Sequence, residues 1–282
     1  VTKIDNTGVA VWNNQTPLPQ DGSIISNGAN ICVLGDGNLL VAGDLTYPNY
    51  NGRTCWSKID VSGLPVHVND KLATNFPNTL DFYHLDVYDV SPTSDGGAIL
   101  CGLNLYSNVT TSPNRPGFIK VDGNGNYIWA KSFIAVPLEG YSPAQVIEET
   151  QDGEFIIGGW AGAAIPTVAG HAGWIIKADM IGGTTSWYVN FYRSYNNQPG
   201  LYAVEITDVL ELSNGNFAVI GNQNIDQQGF LFLLGPQGNI IGHYFYTYPN
   251  DATKNIRFNS IIEKPNKNLA IIGANYDNPL NN

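Results

Sequence analysis

Short apolar runs recur along the whole chain, punctuated by Asp-Gly and Asn-Gly pairs rather than spaced as on a helix face. A turn pair, an apolar run and a glycine occur in that order five times: DGNLLVAG from Asp36, DGGAILCG from Asp95, DGEFIIGG from Asp152, NGNFAVIG from Asn214 and NKNLAIIG from Asn266. In every copy the closing glycine stands seven residues after the first turn residue, at Gly43, Gly102, Gly159, Gly221 and Gly273. Successive turns are 59, 57, 62 and 52 residues apart. Another β-prone stretch precedes each turn, such as ICVL before Asp36 and SIIEK before Asn266. Two such segments around an Asp-Gly or Asn-Gly pair predict a hairpin, and the pair itself predicts a primed turn. No sustained 3.6-residue period competes with this pattern.

A second hairpin follows each of the first four: WSKIDVSGLPVHV from Trp56, GFIKVDGNGNYIW from Gly117, GWIIKADMIGGTTSW from Gly173 and GFLFLLGPQGNII from Gly229. An Asp stands three residues before a Gly at Asp60/Gly63 and Asp122/Gly125. The third copy has one inserted residue (Asp179 to Gly183), and the fourth has Gly235 in place of the Asp. Four residues beyond that glycine come His67, Trp129, Trp187 and Gly242. The fifth copy ends before its second hairpin, and VTKIDNTGVAVW at the N-terminus supplies the missing pattern with Asp5, Gly8 and Trp12. The expected fold is therefore all-β: a five-bladed β-propeller of four-stranded antiparallel blades, its ring closed by N-terminal strands that complete the C-terminal blade. Radial repetition of this kind manages the sheet-edge problem without covering helices. The expectation is a single domain over 1–282, with blades near 24–76, 84–133, 143–192, 203–248, and 257–282 plus 1–13. A stacked solenoid would not need its first strands to complete its last repeat.

The run of DGG, an apolar triplet and Gly, followed by GFIKVDGNGNYIW, resembles the repeats of secreted bacterial β-propellers of Bacteroidetes type. Blade 2 matches best, whereas blade 4 departs at Gly235 and Gly242 and blade 5 at Asn266-Lys267. The resemblance implies the fold and secretion to the periplasm or cell surface. It carries over no catalytic residue.

Composition changes the picture in four ways. Charged residues are only 13%, with 13 Lys+Arg against 24 Asp+Glu and a net charge of −11, and no basic cluster offsets this, so nucleic acid is an unfavourable partner. No apolar run is long enough for a transmembrane segment. The chain opens inside a repeat at Val1 with no signal peptide, which suggests a mature or trimmed form. Cys32, Cys55 and Cys101 are too few for a disulfide framework; Cys32 and Cys101 read as small buried hydrophobes, with a bridge between them the minor alternative.

Binding residues belong on loops fixed by a rigid scaffold, which here means the long connections opposite the tight turns. These are rich in aromatics, which suit sugars and protein partners alike. The expected ligand-binding residues are Tyr50, Tyr106, Trp160, His171, Tyr195 and Tyr248. Others in or beside these connections include Trp56, His84, Trp174 and Tyr246. Any of these rings could instead brace its own loop or pack between blades. Carboxylates on the innermost strands form a second candidate set. Asp86 and Glu205 lie nine residues before their turns, and Asp89 and Asp208 lie six before. Glycoside cleavage needs paired carboxylates at controlled separation, and five-bladed glycosidases place such groups around the channel. Four scattered His give no zinc spacing, DGNGN at Asp122 lacks the distal Glu of a calcium loop, and no cofactor motif is present.

The leading expectation is a non-catalytic secreted or cell-envelope module that binds a glycan or protein on its long-loop face. One alternative is a subunit or plug of a larger envelope or export assembly. The other is a glycoside hydrolase using Asp86, Asp89, Glu205 and Asp208.

Overall fold

The computed structural model describes residues 1–13, 24–25, 30–46, 53–71, 84–105, 115–132, 142–162, 171–180, 183–191, 204–223, 228–247 and 254–277. Every regular element among them is a β-strand. The chain divides into two compact units, Val1–Ile134 and Ala135–Asn282.

The first unit opens with a hairpin of β1 (Thr2–Ile4) and β2 (Ala10–Asn13). A sheet follows in which β3 (Ile24–Ile25) and β4 (Asn30–Val33) both pair with β5 (Leu39–Thr46), continuing to β6 (Arg53–Ile59) and β7 (Pro65–Lys71). The next sheet runs in chain order through β8 (His84–Pro92), β9 (Ala98–Leu105), β10 (Arg115–Val121) and β11 (Tyr127–Ser132). In the second unit, β12 (Ala144–Glu149), β13 (Phe155–Gly162), β14 (His171–Asp179) and β15 (Thr184–Phe191) form one antiparallel sheet. Another consists of β16 (Val204–Glu211), β17 (Phe217–Gln223), β18 (Gln228–Leu234) and β19 (Ile240–Tyr246), and a hairpin of β20 (Lys254–Glu263) and β21 (Leu269–Asp277) closes the unit. The two-hairpin sheet predicted from the repeat is thus the building block of both units.

Sheets pack face to face within each unit. Leu40 and Trp56 of one sheet meet Leu85, Val87, Leu100 and Ile119 of the next. Ile156 and Ile175 likewise meet Ile206, Val219 and Phe230, and Ile220 and Leu231 meet Ile261 of β20. Strand β17 is buried at every position because both of its faces are covered, which is why FAVIG reads as a continuous apolar run rather than an alternation.

The turns differ from the expected primed type. In the turn at Asp36 the Gly37 N–H donates to Leu34 O at 2.9 Å, and Gly37 alone takes a positive φ, of 82°. A primed turn of type I′ needs two such residues; one bond closing four residues, followed by a single left-handed glycine, is a type I turn with a glycine bulge. Asp36 favours it because its Oδ1 accepts the N–H of Asn38 at 3.0 Å. In the turn at Asn266 the left-handed position is held by Lys267, φ 66°.

The glycine that closes each apolar run has a different purpose. The innermost strands carry a register shift at the same place in four copies, between Val87/Asp89, Ala144/Val146, Ile206/Asp208 and Phe258/Ser260. A Cβ on the facing glycine would lie 1.8 Å from Asp86 O at Gly102, and 2.2, 2.1 and 2.1 Å from Pro143 O, Glu205 O and Arg257 O at Gly159, Gly221 and Gly273. The bulge brings main chain against main chain there, and only glycine leaves room.

The two hairpins of a sheet are tied by a lysine on the third strand. Lys58 Nζ donates to Asp36 Oδ2 at 2.5 Å and to Gly123 O of the next sheet at 2.6 Å. Lys120 donates to Thr93 Oγ1 and Asp95 Oδ1, both at 2.9 Å, and Lys177 pairs with Asp152 and, at 3.0 Å, with Glu154. All three lysines are buried. The sheet of β16–β19 has lost both partners together, with Leu233 and Asn214 at the corresponding positions.

A ring on the last strand overlies the second turn of the following sheet. Trp187 Nε1 donates to Pro236 O at 2.9 Å, with its ring where a Cβ of Gly238 would lie (2.6 Å). His67 covers Gly125 in the same way, and Trp12 Nε1 donates to Val61 O at 3.1 Å. Cys32, Cys55 and Cys101 form no disulfide among the described residues; Cys32 and Cys101 are buried in the first unit, where burial raises the Cys32 thiol to about 12.

The natural loss of both clamp partners at Leu233 and Asn214 gives a test. Asp95→Asn leaves a buried ammonium short of its counter-charge and should cost about 2 kcal/mol or more in urea unfolding, whereas Asp95→Asn with Lys120→Met should cost less than the two single changes summed. A second test uses pH. Hydrogen bonds from lysine hold Asp36 below its ordinary range; burial opposes this at Asp95 and Asp152, but bonds from Lys120 and Thr93, and from Lys177 and Thr150, outweigh it. Their stabilisation is complete above the unfolded carboxyl value of about 3.9 and is lost as pH falls through the lower folded values, so unfolding free energy should drop steeply below about pH 4.

Candidate active site

Strands β8 and β16 are the innermost of their sheets and leave the long connections that precede them, so their first residues stand at the long-loop end. Leu85, Val87 and Val90 point into the core shared with the first sheet. The polar residues between them, Asp86, Tyr88 and Asp89, are half-buried. On β16 the alternation repeats: Val204, Ile206 and Val209 are buried, and Glu205, Thr207 and Asp208 are half-buried.

The start of β8 is pinned. Thr54 Oγ1 on β6 donates to Leu85 O at 3.1 Å and accepts the Leu85 N–H at 2.8 Å. On either side of that pin, His84 is buried and its Nε2 lies 3.1 Å from Asp86 Oδ1. With a carboxylate as partner, the neutral ring carries its proton on Nε2 and donates it. Asp86 is therefore held at a fixed height and oriented by an imidazole. In the second unit, Asn222 pins β20 similarly, accepting the Phe258 N–H at 2.7 Å and donating to Phe258 O at 3.2 Å. Glu205 is registered opposite Asn222.

The carboxylates beyond the bulge do something else. Asp208 Oδ1 accepts the N–H of Val209 at 2.9 Å, and Oδ2 accepts the N–H of Ile261 on β20 at 2.8 Å. Burial raises the Asp208 carboxyl, and bonds from Ile261, Ser260 and Val209 counter it only in part. It clasps the bulge of its own strand to the next sheet. Asp89 accepts the Val90 N–H at 2.8 Å in the same way. The four carboxylates expected as one set thus divide into a backbone clasp, Asp89 and Asp208, and a loop-end pair, Asp86 and Glu205.

Of the aromatic set, Tyr50, Tyr106, Tyr195 and Tyr248 lie outside the described residues. Trp160 is half-buried on β13, paired with Gly173, and His171 is the first residue of β14. Two rings grouped with the loop aromatics are core instead. Trp56 is buried, donating from Nε1 to Gly125 O at 2.8 Å, and Trp174 is buried over Gly159. His84, grouped with them as well, is buried beside Asp86. The His84–Asp86 pairing was legible in principle: residues two apart on a strand share a face.

No protein-family model matches the chain, and no curated protein matches it. Solved structures do. A protein of unknown function from Dyadobacter fermentans superposes with a TM-score of 0.54 at 11% identity, over 86% of this chain and 72% of that one. An endo-arabinase from Bacteroides thetaiotaomicron gives 0.50 at 10% identity, over 91% and 94%. The α-L-arabinanase of Penicillium chrysogenum, solved with arabinobiose, gives 0.51 at 13%, over 82% and 70%. Likeness at these identities is likeness of fold, and the fold is that of a β-propeller. The matches overturn the expectation of a non-catalytic module that is not an enzyme: two of the three are glycan-cleaving enzymes by name.

The division of the carboxylates has a thermodynamic signature. Asp208→Ala strips the acceptor from two backbone N–H groups and should lower unfolding free energy by about 2 to 3 kcal/mol, whereas Asp86→Asn, isosteric and near the strand's end, should stay within about 1 kcal/mol of the unsubstituted protein. Thermal unfolding of the two variants side by side checks this.

Proposed function

We propose that the chain is a glycoside hydrolase, with Asp86 of the first unit and Glu205 of the second each a candidate for a working carboxylate. One observation carries the reading. These two acids occupy the same structural position at the loop end of β8 and β16, and the acids one bulge further along are committed to backbone N–H groups. Hydrolysis of a glycosidic bond asks for one carboxyl that protonates the leaving oxygen and one that activates water or attacks the sugar. His84 suits the second task at Asp86, because an imidazole donor orients the carboxylate toward one approach. The shared fold with two arabinanases makes an arabinose-containing glycan the first substrate to try, and Trp160 and His171 become candidates for the sugar platform. A secreted or cell-surface location fits such a substrate.

The reading takes each lone hairpin as half a blade, β1–β2 as an outer half in the first unit and β20–β21 as an inner half in the second. Support comes from each unit separately. Trp12 meets Val61 as Trp187 meets Pro236, so β1–β2 stands to the first sheet as an outer hairpin does to its successor. Strand β20 follows the sheet of β16–β19 as an inner strand does.

Release of reducing sugar from arabinan, with chromogenic arabinosides and xylosides alongside, tests the activity. Asp86→Asn and Glu205→Gln should each lower kcat at least about 100-fold with unchanged thermal unfolding. An inert unsubstituted protein across these glycans, or full activity in both variants, would sink the proposal.

A further inference from the structure

The outer half of the sheet β16–β19 departs from the repeat in a way the fold does not require. Its second hairpin lacks the clamp lysine, the turn aspartate and the covering tryptophan, with Leu233, Gly235 and Gly242 in their places. Aromatics appear instead. Phe230, Phe232, His243 and Phe245 stand where the sheet β8–β11 has Gly117, Ile119, Ala130 and Ser132. Together with Asn190 and Phe191 of β15 they line a cavity of about 380 Å³ within the second unit. Phe232 is its centre: ring centroids lie 4.8 Å away at Phe191, 5.4 Å at Phe230, 5.9 Å at His243, which is stacked, and 6.0 Å at Phe245. Phe191 and Phe230 are buried at the base, while His243 and Phe245 are exposed and form the mouth.

The polar character of the lining is sparse. No Lys, Arg, Asp or Glu is among the described lining residues. Asn190 Oδ1 is buried and meets no hydrogen-bond donor among the described residues. A buried acceptor without a donor is costly, and a ligand that brings an N–H or O–H relieves that cost. Edge and face contacts from several rings favour a planar aromatic guest, and the volume lies in the range of small-molecule sites.

We propose that this cavity binds an uncharged planar aromatic molecule carrying one N–H or O–H donor, of the size of indole or phenol. The site is independent of the hydrolase reading, since Val204 lines the cavity whereas Glu205, its neighbour on β16, points to the other face of the strand.

Titration of the intact protein with indole, phenol and toluene, followed by ligand-observed NMR and calorimetry, tests it. Indole and phenol should bind saturably at one site with dissociation constants of about 0.1 to 1 mM, and toluene at least about tenfold more weakly. Phe232→Ala should weaken indole at least about tenfold, and Asn190→Ala should bring indole down to the affinity of toluene. Phe245→Ala, at the exposed mouth, provides the same test if the central substitution disturbs folding. Absence of saturable binding, equal affinity for toluene and indole, or indole affinity unchanged by Phe232→Ala or Phe245→Ala would overturn the proposal. Arabinan hydrolysis is expected to be the same in Phe245→Ala, so failure of either reading leaves the other standing.

Discussion

A buried ammonium group brought to a hairpin turn joins the halves of each regular sheet. Two antiparallel hairpins laid side by side are linked only by a ladder of backbone bonds, and a lone hairpin is marginal in water. Lys58, Lys120 and Lys177 add a second link at right angles to that ladder, from the third strand to the turn between the first and second. Burying the ion is affordable because the aspartate is half in water and already held by its own turn, so only one member of the pair is fully desolvated. Where Lys58 also reaches Gly123 O, one cation fastens a sheet internally and to its neighbour. The sheet of β16–β19 keeps the same turn, bulge and stacking without this charge, so the clamp reinforces an arrangement that the backbone ladder already specifies.

Much of this was legible in the chain. The period of the turns gave the number and order of the hairpins, because Asp-Gly and Asn-Gly pairs have few structural uses between apolar runs. The turn type was misread: the pair suggests a two-residue primed loop, but the aspartate's bond to the N–H two residues on selects a type I turn and leaves only the glycine left-handed. The lysine clamps were overlooked because their partners lie 22 to 25 residues away, a distance at which periodicity has nothing to say.

The candidate site was legible in part. Counting back from the turns put Asp86 with Glu205 and Asp89 with Asp208, and those pairs are structurally equivalent. Counting cannot see a bulge, however, and the bulge separates a carboxylate at the strand's loop end from one folded back on the backbone. The aromatic residues show a similar limit. A tryptophan beside a loop in sequence can as readily be the ring that fills the space over a glycine, as Trp174 does over Gly159. The resemblance to repeat propellers carries over no catalytic residue, but a shared repeat describes the scaffold and is silent about the side chains mounted on it.

The close approach of Gly102 to Asp86 O and of Gly221 to Glu205 O has a consequence for how such a protein acquires chemistry. The residue that looks most generic in the repeat sets the height of the main chain beside the loop-end side chain of the innermost strand. The same backbone socket therefore stands in each of these copies of the repeat. Two sockets came to hold acids, while the matching ones at Gly159 and Gly273 hold Pro143 and Arg257. New specificity on this scaffold needs no remodelled backbone, only a different residue dropped into a socket whose depth a glycine has already fixed.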